Sequence, residues 1–244
     1  MKNTGYVLKL IARWAIFTFS ISVLLFVTAG TTRLPSLRNY LATFSAFLLA
    51  TMLAIDPGLA KERSSTFENG GPPPGRFAAG LSFLATLVLA ALDVGRLEWF
   101  HSVPVDVRRT SLLLFAGAMA LQMWAMIVNP FFSPEIRLQP ERDHRLVACG
   151  PYRLLRHPGY LAMLVAVPAT ALAIGSWLAL VPATAFCLVI VKRVGLEEEF
   201  LQRNLPGYSE YVTRVRGRLI LGIDFRRHPC RNSVSSDLVS QDNQ

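Results

Sequence analysis

The chain has 244 residues, 52% of them hydrophobic and only 17% charged, with a net charge of +9. A soluble domain carries about 25% charged residues, so this balance argues against a soluble protein and for one membrane-embedded unit. Basic loops in so apolar a chain are expected to set topology and touch anionic lipid heads, not to bind nucleic acid.

Lys2 and Lys9 precede an apolar run from Leu10 to Gly30. The run is longer than a signal-peptide core and lacks a clear small-x-small site before Thr31, so it reads as a first span. Leu37 to Ile55 is the second and stops at Asp56-Pro57-Gly58. Residues 61–76 read as a surface linker, because their Gly and Pro residues cannot sustain a helix. Phe77 to Leu92 is a short third span that needs Asp93-Val94 to complete it. Gly95 to Arg109 reads as an amphipathic segment with Trp99 and Phe100 placed for an interface. Thr110 to Val128 is the fourth span.

Phe131 to Arg156 is a long polar segment. Tyr160 to Ile174 and Trp177 to Val191 follow as the fifth and sixth spans, joined by a tight turn at Gly175-Ser176. Pro168 and Pro182 fall inside this hairpin, where kinks are tolerated if the freed carbonyls find partners. Leu201, Leu205, Tyr208 and Tyr211, interrupted by Pro206-Gly207, suggest an amphipathic helix packed back on the membrane face. The tail from Asn232 to Gln244 is polar and expected to be disordered.

The expected fold is therefore all-α, a multi-pass transmembrane helical bundle of about six spans. It divides into a four-span region at 1–128, a core at 129–225 and a disordered tail at 226–244. Six spans put twenty of the 25 Lys and Arg on one side of the bilayer and five on the other. The basic side faces the cytoplasm, and both the polar segment and the charged end of the sixth span lie there. The cysteines, Cys149, Cys187 and Cys230, are odd in number and lack metal-ligand spacing. Cys149 sits close enough to the polar motif for a functional thiol to stay open.

Two clusters on that side carry the chemistry. Arg156-His157-Pro158 opens the fifth span: Pro at a first helical position loses no needed hydrogen bond, and the exposed N–H groups of that turn favour an anion. At the end of the sixth span Arg193 and Glu197 share one helix face, with Glu198 beside them. An interfacial lipid anchor and a solvated ion pair are the bland readings of each cluster taken alone. Together they offer a cation for a carboxylate, carboxylates for a cationic ligand, and aromatic faces at Tyr152 and Tyr160. That combination suits S-adenosylmethionine, whose reactive centre is cationic.

Residues 129 to 220 also resemble a known family. The resemblance rests on Asn129, Arg137-Leu138-Gln139, His144-Arg145-Leu146-Val147, Gly150-Pro151-Tyr152, Arg156-His157-Pro158-Gly159-Tyr160, Arg193, Glu197-Glu198 and Tyr208-x-x-Tyr211. In order and spacing these are similar to the isoprenylcysteine carboxyl methyltransferases and their relatives, a group that includes phospholipid N-methyltransferases. The resemblance implies transmembrane helices with a cofactor site under the last hairpin, and no dinucleotide-type fold. It implies Gln139, His144, Arg145, Leu146, Val147, Tyr152, His157, Pro158, Gly159, Tyr160 and Glu197 as contacts of S-adenosylmethionine. It implies Arg193 as the holder of an acceptor carboxylate; Glu198 and His157 are the further catalytic candidates, as the base that a thiol or amine acceptor would need, and the cysteine spacing indicates no metal.

The first expectation is thus an integral-membrane methyltransferase acting on the carboxylate of a lipophilic, isoprenylcysteine-like acceptor. A thiol or phospholipid amine as acceptor is the alternative. A non-catalytic membrane protein is the third possibility, and the scarcity of ionisable residues between Tyr160 and Val191 counts against it.

Overall fold

The computed structural model describes residues 4–55, 75–99, 103–133 and 135–219. Among them every regular element is helical. Most of the expected linker, Phe100, Cys230 and the tail from residue 226 lie outside the described residues.

Helices α1 (Thr4–Ala29), α2 (Pro35–Ala54), α3 (Arg76–Leu92) and α4 (Val105–Val128) come first. A π-helical turn at Asp93–Leu97 extends α3, and the combined element runs from Arg76 to Leu97. These four helices are long and apolar enough to cross a membrane. Next come 3-10 turns at Pro140–Arg142 and Gly150–Arg153, then α5 (Pro158–Ile174), α6 (Leu180–Asn204) and α7 (Tyr208–Arg214). The 17 residues of α5 are apolar but short. Only the first half of α6 is apolar; past Val191 it carries Lys192, Arg193 and a run of glutamates. Against the expectation of six spans, four helices have the length and apolarity to cross a membrane; α5 is apolar but short, and α6 is long but apolar only in its first half.

Helix α5 is the centre of the bundle, packed against α2, α3, α4 and α6. Its buried face is largely small: Gly159, Ala162, Ala169, Ala171 and Ala173. Apolar lipid gives helices little hydrophobic reason to associate, so close backbone approach and dispersion contacts hold them. Tyr40 of α2 meets this helix at Thr170, and its ring tilts against Phe115 of α4 at 4.9 Å.

The end of the bundle remote from the polar segment is tied by polar groups. Asp93 accepts from the Ser176 hydroxyl at 2.6 Å, which fastens α3 to the α5–α6 turn. Arg96 donates to the Thr28 and Val27 carbonyls and so caps the C-terminus of α1. Gly95 lies against the Ala29 backbone, where a Cβ would stand 2.2 Å from its carbonyl oxygen. Gly175, at φ +117°, ends α5 as a left-handed residue.

Three features differ from the sequence reading. Helix α4 starts at Val105, not Thr110, because Arg108 turns back to the Val103 carbonyl at 2.7 Å and its charge is satisfied locally. Pro182 lies in the first turn of α6, where its missing N–H costs nothing; only Pro168 is internal to a helix of the hairpin. Leu201, Leu205, Tyr208 and Tyr211 pack against Leu138, Leu146 and Ala148. The apolar face of α7 therefore closes over the polar segment.

Candidate active site

Where the basic segments gather, α5 begins and the charged half of α6 rises beside it. Pro158 starts α5 at its first helical position, and His157 caps it in a non-helical conformation. Gly150, at φ +57°, lets the preceding turn lie against α4, with Val128 2.9 Å from where its Cβ would be. Tyr152 then sits buried, its hydroxyl accepting from Asn129 at 3.3 Å. Tyr211 of α7 donates to the Tyr152 carbonyl at 2.6 Å and locks that turn under α7.

A cavity of about 580 Å³ opens between these elements. That size lies within the range of small-molecule sites. One end is polar, lined by Glu135, Arg137, His144, His157, Arg193 and Glu197. The other is an apolar arm lined by Phe44, Phe83, Phe115, Met119 and Met163, reaching between the membrane-length helices.

The centre of the polar end is a three-residue chain. Tyr160 donates its hydroxyl proton to Glu197 Oε2 at 2.5 Å and accepts from Arg193 Nε at 2.9 Å. Arg193 is buried. The cation and the carboxylate predicted to share a helix face are thus joined through a phenol carried by α5. The aromatic group lies between the charges instead of beside them.

Beside this chain a second cluster forms around Glu198. Arg156 reaches Glu198 Oε1 at 2.6 Å, Arg218 reaches its Oε2 at 2.5 Å, and His157 Nε2 stands 3.5 Å from the same oxygen. Glu198 lies in the charged end of α6. Burial pushes its carboxyl up, but His157, Arg156 and Arg218 together hold it below the usual carboxylate range.

The polar segment has its own brace. Gln139 is fully buried; its side chain donates to the Phe131 carbonyl at 3.1 Å and accepts from Arg142 at 2.8 Å. Its backbone N–H donates to His144 Nδ1 at 3.2 Å. An accepting Nδ1 needs an unprotonated nitrogen. Burial lowers the His144 pKa, and Arg137 and Arg142 lower it further. The His144 ring stacks on Phe131 at 4.5 Å.

Of the residues singled out from sequence, the cavity brings together His144, Arg145, Leu146, Val147, Tyr152, His157, Pro158, Gly159, Tyr160, Arg193 and Glu197. Gln139 and Glu198 are not on its lining: Gln139 is consumed by the brace, and Glu198 is engaged by Arg156, which lines the cavity, and by Arg218, which does not. Cys149 is not on it either. The sequence reading missed the arm and the lining amide of Gln122. The stripe Phe115, Met119, Gln122, Met126 on α4 was the available signal, since one face of an apolar helix carries a polar group there.

Comparison with known proteins matches the same segment. The family model described as isoprenylcysteine carboxyl methyltransferase family matches residues 110–203. This segment belongs to that family. Two relatives, from Oryza sativa subsp. indica and subsp. japonica, are each named probable protein-S-isoprenylcysteine O-methyltransferase. Both are 31% identical over 113 residues, covering 44% of this chain and 58% of the relative. A third, from Alcaligenes xylosoxydans xylosoxydans, is named nickel-cobalt-cadmium resistance protein NccN. It is 27% identical over 133 residues, covering 54% of this chain and 59% of that protein. The chain therefore spans somewhat over half the length of the curated relatives it matches.

Proposed function

We propose that this chain is an integral-membrane methyltransferase that uses S-adenosylmethionine to methylate the carboxylate of a lipophilic acceptor. The observation that carries the reading is one cavity with two characters. Its polar end pairs Arg193 with Glu197 through Tyr160, and its arm of Phe44, Phe83, Phe115 and Met119 lies among helices of membrane length. A soluble acid would have no use for that arm.

The donor set fits the cofactor. Glu197 supplies negative charge on the lining, and Tyr152 and Tyr160 supply aromatic faces, all of which favour a sulfonium. Arg137, His144 and Arg145 line the same end and would hold its polar remainder. When bound, S-adenosylmethionine supplies a methyl group on a cationic sulfur that leaves readily.

Arg193 would hold the acceptor carboxylate, oriented by its hydrogen bond to Tyr160. A carboxylate is already ionised at neutral pH, so no general base is required. The walls contribute alignment and exclusion of water. Glu198 would act from behind the lining by holding His157, which lines the cavity and opens the turn that carries Tyr160. Residues 1–128 form the membrane region of this reading and 129–225 the catalytic core. In this reading α5 and the apolar half of α6 complete six spans, and the excess of basic residues on the side of the site favours the cytoplasm for that side.

The test is transfer of a tritiated methyl group, in membranes containing the full chain, to a panel of lipophilic acids, thiols and amines. Labelled methyl ester formed only from acids is the expected result. Transfer to amines or thiols alone would replace the acceptor class. No transfer, with no cofactor binding by calorimetry, would remove the enzymatic reading.

A further inference from the structure

The segment after α7 lies beyond residues 110–203, which the family model matches, yet it reaches back to the start of α5. The Arg156 N–H donates to the Gly217 carbonyl at 2.9 Å, and the His157 N–H donates to the Arg218 carbonyl at 3.2 Å. These two rungs strap residues 217–218 onto the turn that opens α5. Leu219 then packs into the α5–α6 core, against a cluster that includes Phe186 and Ile190.

The Arg218 side chain crosses to the other wall. Its Nε meets Glu198 at 2.5 Å, on the helix that carries Arg193 and Glu197. The guanidinium lies over α6 at Gly195, where a Cβ would stand 3.6 Å from Nη2. One residue thus holds the beginning of α5 by its carbonyl and the end of α6 by its charge. Tyr160 is three residues past His157 and Glu197 is adjacent to Glu198. This knot therefore lies within three residues of both Tyr160 and Glu197.

We infer that Arg218 is a positioning residue of the cofactor end of the cavity: it fixes the gap between the α5 turn and α6 without lining the pocket. This rests on the methyltransferase reading above. The effect belongs to cofactor binding more than to acceptor binding, because the residues it aligns, His157 to Tyr160 and Glu197, are those proposed to contact the cofactor. A charge-assisted contact, only half shielded from water, that orients two walls corresponds to roughly a tenfold change in affinity.

The test measures binding of S-adenosylmethionine by calorimetry, and acceptor KM by methyl transfer, on the full chain in lipid nanodiscs. R218A is expected to raise the cofactor Kd about tenfold while acceptor KM moves much less. R218K should restore much of the affinity by returning the charge. G195L, which pushes the guanidinium off α6 while favouring the helix, should reproduce the R218A defect without altering any charge. Wild-type binding unaffected by both R218A and G195L, even with a lowered Tm, would reduce the strap to a structural tie and overturn this inference alone. A wild-type chain that binds no cofactor would take the methyltransferase reading down with it.

Discussion

Tyr160 and Glu197 are joined by a 2.5 Å hydrogen bond between the first turn of α5 and the charged end of α6. The same hydroxyl accepts from Arg193, so one phenol orients both charged groups of the proposed site. Replacing it by Phe keeps the ring and removes the bridge. A hydrogen bond to a charged group contributes about 1.5–3 kcal/mol, so Y160F is expected to lower kcat/KM by roughly ten- to a hundredfold. Methyl-transfer kinetics measure this, and near-normal turnover would show that Arg193 and Glu197 hold their places unaided.

Lowering the pH should weaken the protein in two stages. The His144 pKa lies below its ordinary 6.5 because of burial and the nearby arginines. The unfolded chain therefore binds a proton that the folded chain resists, and stability declines as pH falls below that value. Glu198 is likewise depressed from 4.5, its burial outweighed by His157, Arg156 and Arg218. Its contribution is complete above the unfolded value and is lost as pH falls through the folded one. Thermal melts across pH should show a first decline below about 6.5 and a second below about 4.5. H144N should remove the first decline and E198Q the second. A melt profile unchanged in either variant would dissociate that group from the acid response.

Much of this was legible in the residues, and the reasons differ by element. The helices of the first half follow from unbroken apolar runs. The start of α5 follows from Pro158 and its end from Gly175, so both boundaries were readable within two residues. Glu197 and Arg193 share a face by helical spacing alone. Tyr160 as the link between them was hidden, because it comes from another helix and depends on how α5 and α6 turn toward each other. The fate of Gln139 was hidden for a similar reason: its partners are Phe131 and Arg142, and a buried bracket and a ligand contact carry the same residue type. Amphipathic spacing gave α7 an apolar face but not its partner, which proved to be Leu138, Leu146 and Ala148.

Gly159 is constrained by a ring. A Cβ there would stand 2.5 Å from Cε2 of Phe132 and 2.6 Å from its Cζ. G159A should force Phe132 aside and cost about 1–3 kcal/mol as overpacking, with a loss of methyl transfer because both residues line the cavity. The double variant G159A/F132L should recover stability, since the smaller side chain yields the space. Thermal melts of the single and double variants decide it. Equal destabilisation in both would mean that the backbone at residue 159, not the ring contact, sets the requirement for glycine.

Arg193 separates the acceptor classes. It is buried, lines the cavity, and has its Nε engaged by Tyr160. If its role is to hold an acid, R193Q should remove a charge-assisted contact of roughly 2–3 kcal/mol and cut turnover of lipophilic acids by about a hundredfold. Cofactor affinity should change far less, because Glu197 and the tyrosines remain. R193K restores charge but not a fork that can grip a carboxylate while bonding Tyr160, so it should recover only part of the rate. Kinetics on acids and amines with the same variants make the comparison internal. Acid turnover that survives R193Q, or an equal loss of cofactor binding, would place the carboxylate holder elsewhere on the cavity wall.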